Sequence, residues 1–145
     1  MAYEGDRMIA CPTIPYNFAE TYAVVVSGDG PNFCGHLMLR VGLDGSAMYM
    51  HVAGMRTEPR QMNESGYQRY LSDTGKRELK RFRVKISRPN QAMLELEQLL
   101  SAKWMWGLLP HNCASFVEKI VAAGGSSAGL YLNCPSLEKF ALLSG

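Results

Sequence analysis

CGHLMLRVGLDGSAMYMHVAG, residues 34–54, holds two apolar runs joined by Leu43, Asp44, Gly45 and Ser46. An Asp-Gly pair between strand-like runs signals a two-residue hairpin turn, because that turn needs a positive φ which glycine adopts without steric cost. With Asp44 and Gly45 at the tip, Leu43 faces Ser46, and counting outward sets Met38 opposite His51. Side chains alternate along a strand, so His36 and Met38 share a face, and His36 and His51 project from it as diagonal neighbours. One hairpin thus brings two imidazoles within reach of each other.

Ahead of this hairpin, TYAVVVS (21–27) is short, β-branched and bounded by turn residues, which predicts a strand. Beyond it, NESGYQRYLSDTG (63–75) is polar and reads as a short helix or a surface excursion. ELKRFRVKIS (78–87) sets Leu79, Phe82, Val84 and Ile86 close to strand alternation. SRPNQAMLELEQLLSAKWMWG (87–107) opens on Ser87, Pro89 and Asn90 and runs through Met93, Leu94, Leu96, Leu99 and Leu100, the pattern of a helix. A second helix follows Pro110 and stops at Gly124-Gly125, and CPSLEKFALLSG (134–145) reads as a terminal helix with Pro135 in its first turn. Strands first and helices last describe an α+β domain, an antiparallel sheet packed on helices. At 145 residues the expectation is one domain over 1–145.

A net charge of +2 is too small for a nucleic-acid-binding face, and the basic stretch KRELKRFRVK (76–85) reads as the solvated side of a strand. No run of about 18 apolar residues occurs, so no integral membrane segment is expected. The first residues carry no basic region followed by an apolar one, which predicts synthesis in the cytoplasm without a signal peptide. Cys11, Cys34, Cys113 and Cys134 include no C-x-x-C pair, and no cofactor is implied.

HNCASFVEKIVAAGG (111–125) puts Cys113 in the first turn of a helix, where unpaired N–H groups and the macrodipole favour a thiolate. The same cysteine begins an apolar stripe with Phe116, Val117, Ile120 and Val121, so a buried structural role competes. A catalytic thiol needs a base within hydrogen-bond reach, and the base needs a group that fixes its tautomer. His36 and His51 supply that pair. His36, His51, His111 and Cys113 also make a conceivable His₃Cys zinc set, although no local ligand spacing supports it.

NCASFVEKIVAAGG resembles the cysteine motif of the NlpC-type papain-like superfamily of cell-wall peptidases, and GHLMLRVG followed by YMHVAG resembles its histidine strand and the next strand. Because His36 precedes Cys113, the match is to the circularly permuted branch. That branch includes bacterial cell-wall amidases, lecithin:retinol acyltransferase-like enzymes and permuted deubiquitinase-like peptidases. The resemblance covers roughly positions 20–125. It implies a circularly permuted papain-like fold with Cys113 as nucleophile, His36 as general base and His51 as orienting residue. Ala114 stands where cell-wall members usually have serine, and the tyrosine that often assists the oxyanion has only Tyr16 and Tyr22 as candidates.

The function implied is a cysteine amidase or endopeptidase that hydrolyses amide bonds of bacterial peptidoglycan peptides. The short chain is similar to antibacterial effector toxins delivered by type VI secretion to the periplasm of a target cell, where an immunity or inhibitor protein would be its partner. The alternative is a thiol acyltransferase or lipase, with Met48, Met50, Met105 and WMWGLLP (104–110) lining an acyl groove, although methionine more simply fills core gaps. A third reading keeps the fold as a binding module with an inert Cys113.

Overall fold

The Asp44-Gly45 turn forms in a computed structural model of the chain: Ser46 N donates to Leu43 O at 3.0 Å, and Gly45 takes φ 93°. The structure describes residues 2–8, 16–27, 35–52, 59–101 and 112–126. The hairpin strands are β3 (His36–Val41) and β4 (Met48–Val52), antiparallel with Leu39 against Met50 and Val41 against Met48. Continued by one residue, that register sets Met38 against His51, as the turn predicts.

Around this hairpin lie β1 (Asp6–Arg7), β2 (Thr21–Val26), β5 (Pro59–Met62) and β6 (Glu78–Val84). They form one antiparallel sheet in the order β1-β5-β4-β3-β2-β6. Among the described residues, the helices α1 (Glu64–Thr74), α2 (Pro89–Ser101) and α3 (Asn112–Ala123) complete an α+β architecture. The segment 63–75, open between helix and excursion in the sequence, is α1. Asn63 caps it by accepting from Gly66 N at 2.8 Å, and Gly75 ends it at φ 72°.

Each face of the sheet has its own core. Leu37, Leu39, Val41, Met50 and Val52 join Ala92, Leu96 and Leu99 of α2 and Phe116, Val117, Ile120 and Val121 of α3. On the opposite face Val24, Val26, Met38, Tyr49 and Met62 pack with Tyr67 and Tyr70 of α1. Covering on both sides explains why every residue of β3 is buried, His36 and Arg40 included. Met50 is a core residue, which fits methionine as packing rather than as an acyl-groove wall.

Two details differ from the sequence reading. Leu79 does not alternate inward with Phe82 and Val84; three residues from Phe82, it falls off their face and is 38% exposed, at a point where the β2–β6 register shifts between Val25, opposite Lys80, and Val26, opposite Glu78. Such a bulge redirects side chains, and here it turns Glu78 to the α1 face, where Tyr67 Oη donates to it at 2.7 Å and Arg81 pairs with it at 2.8 Å. Arg81 also donates to Tyr49 Oη, whose hydroxyl donates to Glu64, so the basic stretch is more than a solvated face: it ties β6 and β4 to α1. Leu94 likewise leaves the apolar face of α2 and is 49% exposed. The expected terminal helix (134–145), Met105 with residues 104–110, and Cys11, Cys34 and Cys134 lie outside the described residues.

Among the described residues no helix is long and apolar enough to cross a membrane. The facing of α2 is testable with two leucines. Leu96→Ala lowers stability by about 2–5 kcal/mol, whereas Leu94→Ala changes it by less than about 0.5 kcal/mol; urea denaturation of both variants checks this.

Candidate active site

His36 is the first residue of β3, directly after Gly35, whose φ is 85°. His51 lies one residue from the end of β4, so both stand at the same end of the sheet, on the face that carries Met38 and Tyr49. Their rings meet edge to face, with centroids 5.0 Å apart and His36 Nε2 2.7 Å from His51 Nδ1. Tyr70 of α1 sets its ring against His51 at 5.3 Å, and Lys76 Nζ donates to the Tyr70 hydroxyl at 3.3 Å.

The other ring nitrogen of His51 fixes the protons. His51 Nε2 lies 2.8 Å from the backbone oxygen of Glu4. A carbonyl only accepts, so His51 Nε2 carries the hydrogen. In a neutral ring Nδ1 is then the acceptor, and His36 Nε2–H donates to it. His36 Nδ1 is left as the basic nitrogen of the pair.

Both rings are held neutral. Burial pushes the His36 pKa well below its ordinary 6.5, with the neighbouring His51 and the charge of Lys76 acting in the same direction. Burial likewise lowers His51 to about 4, against the opposing pull of the Glu4 carbonyl, while Lys76 and Arg60 disfavour its charged form. With both nitrogens of His51 in hydrogen bonds, neither is directed at a metal.

Cys113 is the second residue of α3. Its side chain, like all of His111, lies outside the described residues. The described side chains of α3 pack on the sheet face opposite the imidazoles. The C-terminal end of α3 is fixed near the Val84 end of the sheet, where Arg88 N donates to Gly124 O at 2.8 Å and a Cβ on Gly124 would meet Ile86 at 3.0 Å. Twelve helical residues span about 18 Å, close to the length of a six-residue strand. From its fixed end α3, which packs on β3 and β4, is long enough to reach the end where β3 begins and β4 finishes, but it does so on the other face of the sheet: the described residues bring His36 and His51 together and do not set Cys113 beside them.

The remaining candidates fall elsewhere. Tyr16 donates its hydroxyl to Gln61. Tyr22 lies under the guanidinium of Arg40 at 5.7 Å. A cavity of about 330 Å³, lined by Arg40, Asp44, Met48, Asn63 and Glu64 among others, opens beside the hairpin tip at the far end of β3 from His36. Glu4, Arg60, Tyr70 and Lys76, which surround the imidazoles, had no signal in the sequence: Glu4 acts through its backbone, and the other three reach the pair only through tertiary packing.

Comparison with known protein families, curated proteins and solved structures gave no match.

The buried neutral imidazoles make stability depend on pH. Below 6.5 an unfolded chain protonates both rings, while the folded chain keeps His51 neutral until about pH 4. Stability present above pH 6.5 is therefore lost as pH falls through that window, by an amount on the order of a few kcal/mol. Urea midpoints measured from pH 7.5 down to 4.5 fall accordingly, and the fall is shallower in His51→Gln; a flat wild-type profile would show the imidazoles to be exposed.

Proposed function

We propose that the chain is a cysteine hydrolase of circularly permuted papain-like architecture that cleaves amide bonds in bacterial peptidoglycan peptides. The observation that carries the reading is the chain of hydrogen bonds from the Glu4 carbonyl through His51 to His36, which leaves one basic nitrogen on a buried, neutral imidazole. A base, a group that orients it and a carbonyl that sets the orienter's tautomer are what a thiol nucleophile requires.

In this reading the first turn of α3 reaches past the end of the sheet to the side of the imidazoles, and His36 Nδ1 takes the proton of Cys113 Sγ as the sulfur attacks the substrate carbonyl carbon. The C–S bond forms while the carbonyl π electrons move onto oxygen, which faces the backbone N–H of Cys113 in the first turn of α3. When the tetrahedral intermediate collapses, the C–N bond breaks and the leaving amine takes the proton from His36. Water then attacks the thioester, again giving its proton to His36, and the new carboxylic acid leaves as the thiol is restored. His51 supports the charge that appears on His36, because its Nδ1 accepts from His36 Nε2–H throughout.

Peptidoglycan as substrate, an antibacterial effector role by type VI delivery to a target periplasm, and an immunity protein as partner rest on the motif resemblance at 34–53 and 112–125. Mass spectrometry of soluble fragments released from purified sacculi tests the reading. Wild-type protein releases peptide fragments and Cys113→Ala releases none; fragment masses identify the bond. His36→Ala lowers turnover more than His51→Ala, and the acid limb of kcat/KM lies below pH 6.5, following the lowered His36 pKa. A folded wild-type protein that releases nothing from sacculi of several chemotypes overturns the substrate assignment.

A further inference from the structure

The Glu4 carbonyl that fixes His51 belongs to a segment pinned at every step. Tyr3 N donates to Asp73 Oδ2 of α1 at 3.0 Å, and Arg69 lies over the Tyr3 ring at 4.6 Å. Asp6 and Arg7 pair with Gln61 and Arg60 as β1, and Met8 N donates to Pro59 O at 3.3 Å. Between these anchors Glu4 O accepts from His51 Nε2–H, and Gly5 O accepts from Arg60 Nη1 at 3.1 Å. His51 and Arg60 are cross-strand partners on β4 and β5, so neighbouring side chains grip two successive carbonyls.

The turn between those carbonyls depends on Gly5. Its φ is 104°, a conformation that L side chains rarely adopt, and a Cβ there would lie 2.9 Å from Gln61 O, 3.0 Å from Met62 Cγ and 3.2 Å from Arg60 Cβ. Rotation about the Gly5 N–Cα bond sets the plane of the Glu4–Gly5 peptide relative to β1, and so the direction of the Glu4 oxygen. No ordinary side chain fits the conformation or the space.

We propose that Gly5 and Arg60 are positioning residues of the candidate site: the Gly5 turn, held by the Arg60 grip on its carbonyl, aims the Glu4 oxygen at His51 and thereby fixes which nitrogen of each imidazole carries the proton. The proton arrangement stands on the geometry alone, whereas its catalytic consequence rests on the hydrolase reading. With Glu4 O turned away, a neutral His51 is free to place its hydrogen on Nδ1. That nitrogen then no longer accepts from His36 Nε2–H, and His36 loses the bond that keeps Nδ1 basic.

Long-range ¹H–¹⁵N spectra of the imidazoles at pH 7 read the tautomers without substrate. In the wild-type protein both His51 and His36 carry hydrogen on Nε2. In Gly5→Ala the His51 signals move toward a mixture of tautomers, and turnover on sacculi falls by about 10–100-fold with little change in KM. Should Gly5→Ala fail to fold, Arg60→Gln carries the test, since it releases the Gly5 carbonyl without crowding the backbone; it shifts the same signals, and Arg60→Lys restores them in part. A wild-type His51 with its hydrogen on Nδ1, or a tautomer unchanged in every folded variant, overturns the proposal. Shifted tautomers in a protein that shows no Cys113-dependent hydrolysis uphold the positioning role and sink the hydrolase reading instead.

Discussion

The 2.7 Å hydrogen bond between His36 Nε2 and His51 Nδ1 is the constraint on which the rest of the site depends. Two imidazoles can share one proton in this way only if the accepting ring, His51, is neutral and keeps its own hydrogen off Nδ1. Burial meets the first condition. The second needs an acceptor that never donates, and a backbone carbonyl is such a group. The N-terminal segment therefore belongs to the candidate site through the backbone oxygen of Glu4.

Covering both faces of the sheet is what makes that burial possible. An antiparallel sheet with one solvated face would leave its outward histidines near their ordinary pKa. Here α1 lays Tyr67 and Tyr70 over the face that bears His36 and His51, while α2 and α3 cover the other. The network of Tyr49, Glu64, Arg81 and Glu78 joins α1 to the sheet on this same face, and the β2–β6 bulge supplies Glu78 to it. Burial beneath this cover keeps water from the two imidazoles and opposes their protonation.

The part of the architecture legible in the sequence was the part written in local chemistry. Asp44-Gly45 specified the turn, and from the turn alone followed the register that brings His36 and His51 together. Pro89, the paired glycines at 124–125 and the apolar spacing of Phe116, Val117, Ile120 and Val121 specified α2 and α3. What stayed hidden depends on tertiary context. β5 contains Pro59, Arg60 and Gln61, a composition with no strand signal, and it exists because β4 and β1 flank it. Leu79 and Leu94 look like core residues by type, but Leu79 is three residues from Phe82 and so off its strand face, and Leu94 lies on the outer face of α2. Glu4 carries its contribution on a carbonyl that every residue possesses, so nothing in its identity could mark it.

The central claim is that the thiol of Cys113 and the imidazole of His36 act as a pair, and the pH dependence of Cys113 alkylation tests it most directly. Folded protein is treated with iodoacetamide, and modification is followed on the Cys113 peptide by mass spectrometry, in the wild type and in His36→Gln. The account predicts that native Cys113 reacts in the folded protein near pH 7, and that His36→Gln slows the reaction and moves its rate–pH profile toward that of an ordinary thiol of pKa about 8.5, because neutral His36 takes the thiol proton as the sulfur attacks. A Cys113 that reacts only on unfolding, or whose titration ignores His36, would contradict it.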